Sequence, residues 1–588
     1  MLFRQPVTLR FTPEICACPD CGKRLLAYKT SSRNLVKLNL GSFRAHSTEY
    51  YCPFCKDQPV FRPSDLASLA APGNRFCYDI MVYCGKAALQ RYRTVQEIVD
   101  ELYQHNVDIS PSEVRLQAER FVLYLGETHR QSQDAIKSLL QKQGGYILHL
   151  DGTCDGASSH LMSAMDGVSG LVLLGVKIPS ESTEALTPIL RDIKDKFGEP
   201  LAVVSDMAKS IHKAVIKVFD KTPHYLCHFH FLRDIGKDLL EPNYGKIRNC
   251  LKSHGITTLL RRRSRELMAE MGTAMDKVDE VIKNIGQGVL PQAWDGKLTK
   301  PMAYAMIAWV LAGKNQGNGY GFPFDLPLVE FYRRMEALAQ ALKIFADASS
   351  QPQTPRTSLA VKLAKDLDEV LLDKTLRTQI KTIRQKMEVF SQFRQAMRLA
   401  PVDKNIGLND DGENVDMKAI EKSVTIFTTM LRQRKDFTAK GDYGKMVAQI
   451  EKYQEQLFIE PIQARTSQGV KFIYPNRTNN ILERFFRGFK RGYCRQTGNR
   501  AMRRRIDTML ADTTLVKNLE NQKYMEILLD GCTSLEQRFA KIDHHKIRRE
   551  LKKARQEEGR TLPGLRKILS IVDWPQKVAD IWLKHKSA

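Results

Sequence analysis

The 588-residue sequence predicts a multidomain α/β fold, and three observations carry that reading. Two C-x2-C pairs, Cys18/Cys21 and Cys52/Cys55, mark a small N-terminal metal-binding ribbon. From residue 145 to about 240, short apolar runs alternate with amphipathic ones, the pattern of strands interleaved with helices. From about 237 to 469 the pattern becomes long, helical and rich in Leu, Met, Lys, Arg and Gln.

The ribbon comes first, in residues 1–70. Each C-x2-C can sit on a tight knuckle that aims both thiolates at one ion, and two knuckles complete a tetrahedral zinc site. Four thiolates leave no open coordination position, so this zinc is expected to be structural. Cys16 is a spare that could replace Cys18. The other cysteines are scattered, and "MLFRQPVTLRF" lacks the apolar core and cleavage site of a signal peptide. A reducing cytoplasm is expected, with no disulfide framework.

Residues 71–143 read as helical. In "TVQEIVDELYQHN", Val95, Ile98, Val99 and Leu102 form an amphipathic stripe. In "DISPSEVRLQAERFVLYL", Ser110 can cap, Pro111 takes the first helical position, and Glu113 has capping-box spacing. Helix, short turn and capped helix predict a helix-turn-helix that binds DNA; an ordinary helical linker is the plainer alternative.

Residues 144–236 hold the alternating elements. "YILHLD" is a strand ending on Asp151. "HLMSAMDGVSGLVLLGVKI" is a hairpin turning at Asp166-Gly167 or Ser169-Gly170. "STEALTPILRDIKDKFG" is a helix ended by Gly198, "LAVVSD" a strand ending at Asp206, "SIHKAVIKVF" a helix, and "HYLCHFHF" another strand. One aspartate after a strand is ordinarily a turn or cap residue. Two such aspartates in one α/β unit suggest a metal site at a sheet edge. Asp155 and Asp166 lie in glycine turns and are expected to be less firmly placed.

Residues 237–470 form the all-helical segment. Its loops "GKNQGNGYGFPFDLP" and "APVDKNIGLNDDGENVD" match neither a phosphate loop nor a calcium loop. Residues 471–515 then bring "NNILERFFRGFKR". Leu482, Phe485, Phe486 and Phe489 share one helical face, and Asn480, Glu483, Arg487 and Lys490 another. From Arg484 to Arg505 there are nine basic residues and no acidic one. Glu483 is either half of a solvated Glu–Arg pair or a metal ligand flanked by phosphate-binding cations. Glu460 is a weaker competitor, since it precedes Pro461 outside that basic helix. Residues 516–588 read as a basic helical tail that touches DNA or is simply solvated.

Overall charge agrees with a polyanionic partner. Lys and Arg outnumber Asp and Glu by 91 to 66, a formal net charge of +25. No apolar run reaches the roughly 20 residues needed to span a bilayer, so no membrane role is expected.

The order C-x2-C pairs, helix-turn-helix, "HLDGTCDG", "VVSDMAKSI", "CHFHFLRDIGKDL" and "NNILERFFRGFKR" resembles DDE transposases of bacterial and archaeal insertion sequences, related to the Mutator-like and hAT groups. The resemblance implies an RNase H-like catalytic core, split by the helical insertion, with its first part in 144–236 and its last helices in 471–515. It implies that Asp151, Asp206 and Glu483, 55 and then 277 residues apart, are catalytic and hold two Mg²⁺. By the same resemblance Cys227 and His230 support the site, and Arg484, Arg487, Lys490 and Arg491 bind DNA. The implied activity is metal-dependent cleavage at transposon ends and transfer of the freed 3′-hydroxyls into target DNA. It would be carried out by a homodimer or higher oligomer associated with the nucleoid. The alternatives are a domesticated, non-catalytic DNA-binding protein and a nuclease of the same core. Related insertions use an aromatic side chain to hold a flipped base. By that resemblance Trp294 or Trp309 is a candidate for this role, with core packing the expectation for both.

Overall fold

A computed structural model describes residues 6–586 apart from 157, 273–275, 288–297, 348–358, 400–416, 459, 467–468 and 560–573. Trp294 and the acidic loop 400–416 lie outside the described residues. The chain is mixed α/β and divides into two compact units. Among the described residues, one comprises those of 1–227 and 461–588 and the other those of 228–460.

The first unit begins with strands β1 (Val7–Phe11), β2 (Leu26–Lys37), β3 (Gly41–Tyr51) and β4 (Val60–Phe61). They form one sheet in the order β1-β3-β2, with β4 also paired to β3. Helices α1 (Ser64–Leu69), α2 (Tyr78–Leu89), α3 (Val95–Gln104), α4 (Pro111–Gln131) and α5 (Gln133–Lys142) follow. Thr94 and Glu97 form a reciprocal capping box at the start of α3. At α4 only half of the expected box is made: Ser110 Oγ accepts from the Glu113 N–H, while Glu113 Oε1 accepts from Gln117. Every residue from Phe121 to His129 is buried, so α4 meets solvent in its first turns, through residues such as Ser112 and Arg115, and at its last two residues, Arg130 and Gln131.

The central sheet contains β5 (Ile147–Thr153), β6 (His160–Asp166), β7 (Val172–Ile178), β8 (Ala202–Ser205) and β9 (His224–Leu226), joined by α6 (Thr183–Phe197) and α7 (Lys209–Val218). Its order is β7-β6-β5-β8-β9. The β5/β6 and β6/β7 pairs are antiparallel, whereas β5/β8 and β8/β9 are parallel. The α6 helix ends at Gly198 with φ 86°, as the sequence predicts.

The strand predicted over "HYLCHFHF" is shorter than expected. It stops at Leu226, and α8 (His228–Ser253) starts at once. The burial pattern explains this: His228, Phe231, Leu232, Ile235, Leu239 and Leu240 recur at helical, not alternating, spacing. The second unit is helical throughout among its described residues: α8, α9 (Ile256–Met271), α10 (Asp276–Gly286), α11 (Lys300–Ala312), a 3-10 turn at Gly313–Asn315, α12 (Pro327–Asp347), α13 (Leu359–Leu371), α14 (Lys374–Ala396), α15 (Met417–Arg432), α16 (Asp442–Lys452) and α17 (Gln454–Leu457). It has its own core, including Phe331, Met335, Ile383 and Phe393. Trp309 is not in it: the indole is 43 % exposed, with the Arg334 guanidinium 4.7 Å from the ring.

The first unit resumes with the β10 (Ile462–Thr466) and β11 (Gly469–Ile473) hairpin. Then come α18 (Asn480–Thr497), α19 (Arg503–Thr508), a 3-10 segment at Ala511–Glu520, α20 (Gln522–Leu529), α21 (Leu535–Ala540), α22 (His544–Gly559) and α23 (Trp574–Lys586). The segment after 516 is not simply a solvated tail. Tyr524, Leu528, Phe539 and Ile547 share one hydrophobic core with Tyr124 of α4 and Leu148 of β5. Lys546 also pairs with the buried Glu127 of α4 at 2.8 Å.

Among the described residues, no helix is long and apolar enough to cross a membrane.

Candidate metal centres

The N-terminal cysteines converge. Cys18, Cys21, Cys52 and Cys55 place all four sulfurs within 4.8 Å of one another. The closest pairs are Cys21–Cys52 at 3.5 Å, Cys52–Cys55 at 3.6 Å and Cys18–Cys55 at 3.8 Å. A tetrahedral zinc with Zn–S near 2.3 Å requires S···S edges of about 3.8 Å, so the set fits this ion. Cys16 is exposed and outside the cluster, which leaves Cys18 as the ligand candidate.

The knuckles are built from the backbone. The Gly22 N–H donates to Cys18 O at 2.8 Å, and the Gln58 N–H to Cys55 O at 3.1 Å. Gly22 has φ 69°, a conformation glycine adopts without steric cost. Burial alone would push the Cys52 thiol up. The N–H groups of Phe54 and Cys55 and the Cys21 thiol outweigh burial and bring it down to about 7. A thiol so placed ionises readily and is ready to ligate.

The carboxylate region is assembled differently. Strands β5 and β8 are parallel, with His149 opposite Val204. Asp151 and Asp206 each stand two residues beyond that pair, so both emerge at the same end of the sheet. Glu483 lies in the first turn of α18, which packs on β5. Burial first, and then the charges of Asp206, Glu483 and Glu181, push the Asp151 carboxyl up to about 8, against an opposing N–H from Gly152. Glu181 is likewise raised, by burial and by Asp206. Sequence reasoning missed Glu181. It sits in the "PSES" turn between β7 and α6, where no periodicity draws attention to it, and the run of turn residues before a helix was the one available signal.

These carboxylates do not form a cluster as tight as the cysteines. Among the described residues, the cysteine set is the single group of three or more potential ligands with donor atoms within 4.8 Å of one another. The acidic set nevertheless has the chemistry a hard divalent cation needs: oxygen donors from rigid elements, and like charges crowded around a poorly solvated carboxyl.

The competing carboxylates have other partners. Asp166 is fully buried and firmly held: it accepts from the N–H groups of Ile147, Val168 and Ser169, from the Ser169 hydroxyl and from Gln143. It lies within β6 rather than beyond it and pins the β6–β7 turn. Asp155 accepts from the Met502 and Arg503 N–H groups at the start of α19. In the helical unit, Glu460 pairs with Lys418 at 3.1 Å on an exposed surface.

Arg484, Arg487, Lys490 and Arg491 are all exposed on α18. A cavity of about 780 Å³ beside this helix is lined by Arg484, Phe485 and Phe489 but by none of the three predicted catalytic carboxylates. Cys227 is buried at the end of β9 and accepts from the Asn479 N–H at 3.2 Å. His230 lies on α8, in the helical unit.

Among known proteins, no family model matches this chain, and no curated protein matches its sequence significantly.

Proposed function

We propose that the protein is a DDE-type DNA transposase with an RNase H-like core. The observation that carries this reading is the shared end of β5 and β8, where Asp151 and Asp206 emerge in register and where Asp151 feels the charge of Glu483. The sheet order β7-β6-β5-β8-β9, with β6 antiparallel to both neighbours, supports the same reading. So does the helical unit inserted between β9 and the helix that bears Glu483.

Asp151, Asp206 and Glu483 would hold two Mg²⁺, with Glu181 close enough to add or tune a ligand. When bound, these ions supply Lewis-acid activation of the attacking oxygen and stabilisation of the leaving one. The chain's own contribution is placement. Asp151 lies on β5, Asp206 follows directly on the end of β8, and α18 carries Glu483. The exposed cations of α18 bind phosphates and orient the scissile strand. The ribbon and the helices after it are proposed to recognise transposon ends, with a dimer or larger assembly holding two ends together.

The test uses wild-type, Asp206→Ala and Glu483→Ala proteins with labelled DNA spanning the edges of the protein's own gene, in Mg²⁺ or EDTA. Cleavage at a defined edge and joined products are expected from wild type in Mg²⁺ alone. Cleavage without joining would favour a nuclease of the same core. Equal DNA binding by all three proteins with no cutting would favour a non-catalytic binding protein.

A further inference from the structure

We infer that Asn479 is a positioning residue that locks Glu483 in register with Asp151 and Asp206; the inference rests on the carboxylate site proposed above. Asn479 is the N-cap of α18, and it is completely buried. Asparagine is a preferred N-cap because its side chain can accept from the first helical N–H groups. Here the side chain makes no such bond. It reaches across to β5 instead.

Both ends of the amide are used. Nδ2 donates to Leu150 O at 2.9 Å, the carbonyl just before Asp151. Oδ1 lies 2.9 Å from His149 Nδ1. The amide oxygen can only accept, so Nδ1 of His149 carries the proton. His149 is fully buried, and its Nε2 has no hydrogen-bond partner. The bond to Asn479 is therefore what the ring gains from its polar side in that position.

The backbone of Asn479 extends the connection. Its N–H donates to Cys227 Sγ, and the Cys227 N–H donates to Ser205 O at 2.8 Å, next to Asp206. Its carbonyl accepts from the Glu483 N–H at 3.0 Å. One residue thus bonds directly to Glu483 and to the residue before Asp151, and through Cys227 to the residue before Asp206. A carboxylate on a helix and carboxylates on strands share no secondary-structure register, so something must supply one. Buried, hydrogen-bonded polar groups do this because slipping by a residue would leave several of them unpaired.

Asn479→Ser separates positioning from capping. Serine is an equally good N-cap but is too short to bridge to β5. Binding of Mn²⁺ to the metal-free full chain would be followed by electron paramagnetic resonance of the free ion. Cleavage would be followed against Mg²⁺ and DNA concentration. The expected result is a Mn²⁺ Kd raised by about tenfold or more, the range for groups that orient metal ligands. The Mg²⁺ midpoint should move with it and kcat should fall, while KM for DNA stays within about twofold of wild type. Unchanged Mn²⁺ affinity and kcat in folded Asn479→Ser would overturn the inference. Should that variant not fold, Cys227→Ala removes the sulfur that accepts from the Asn479 N–H; weaker Mn²⁺ binding is expected, and unchanged binding would count equally against the proposal. Asp151→Asn and Asp206→Asn in the same titration separate the two levels. If they abolish Mn²⁺ binding and Asn479→Ser does not weaken it, the positioning role fails and the site stands. If they leave binding intact, the carboxylate site itself fails.

Discussion

The two candidate metal centres of the first unit solve one problem in opposite ways. The cysteine cluster draws its ligands from two short knuckles, and its four sulfurs stand within 4.8 Å of one another. The carboxylates come from positions 55 and 277 residues apart and are not gathered so tightly. The difference follows from charge. Protonated thiols are neutral and can pack against one another without an ion. Carboxylates repel, and each loses solvation as the others approach. A local ligand set therefore needs its ion only to hold two knuckles together, whereas a set drawn from distant strands and a helix must also overcome the repulsion of its own charges.

The largest effect should come from breaking the first centre. Apart from its cysteines, the ribbon tip buries Leu25 fully and Tyr50 and Phe61 only in part. That is too little apolar surface to order the tip, and a structural zinc contributes on the order of 10 kcal/mol in isolated zinc-binding peptides. Chelation, or Cys52→Ser, should open residues 16–61 to proteolysis and abolish one equivalent of bound zinc. The protected core containing Tyr124, Leu148 and Phe539 should remain. Global unfolding on chelation would mean that the tip is not a separate element.

The second centre should respond in the reverse direction. At pH 9 with EDTA present, where Asp151 is ionised, Asp206→Asn removes a like charge beside it, so the metal-free protein should become more stable, by on the order of 1 kcal/mol, while losing divalent-cation binding. A lower melting temperature in EDTA would show that Asp206 is held by favourable contacts and not strained by its neighbours.

The pH dependence sharpens the contrast between Asp151 and an ordinary buried group. Asp151 has its folded value raised to about 8. Its contribution is fully present below the unfolded value near 4 and is lost as pH rises through 8, so the metal-free protein should gain stability as pH falls from 8. His129 has the opposite sign. Burial holds it down at about 4, with Nε2 bonded to Leu173 O and Nδ1 to the Tyr524 hydroxyl. Its contribution is present above 6.5 and should fade by roughly 3 kcal/mol as pH drops toward 4. Chemical denaturation in EDTA should therefore show greatest stability on the mildly acidic side of neutral. Asp151→Asn should flatten the alkaline limb alone, and a pH-independent alkaline limb in wild type would contradict the crowding of charge at this site.

Much of this arrangement is legible in the sequence, for reasons that differ by element. Cys18, Cys21, Cys52 and Cys55 can be read because zinc knuckles are local and their spacing is the geometry. Asp151 and Asp206 can be singled out because each ends an apolar run, although that they share a sheet end depends on the β5/β8 pairing. Glu181 and Asn479 leave little trace, since a turn glutamate and a helix-capping asparagine are common and their role lies in what they meet. The final helices escape local reading because "HHKIRRELKKARQEEGR" looks solvated, yet Ile547 is buried in the core and Leu551 packs against it. The six predicted segments resolve into two compact units for the same reason: core sharing between residues 71–143, the central sheet and the C-terminal helices is a long-range property that local composition does not reveal.

The smallest effect asks which region a polyanion touches. Arg487 and Lys490 are exposed beside Glu483 on α18, whereas Lys29 is exposed on β2 of the ribbon sheet. Removing one cation that binds a phosphate should lower the slope of log affinity against log salt by about 1. If DNA lies along the carboxylate site, Arg487→Ala and Lys490→Ala should each reduce that slope with short duplexes of any sequence, because binding to the phosphate backbone carries no sequence information. A ribbon that recognises transposon ends should behave otherwise: Lys29→Ala should weaken binding to end sequences more than to random DNA. Equal, sequence-independent weakening by substitutions in both regions would mean that the ribbon adds only charge.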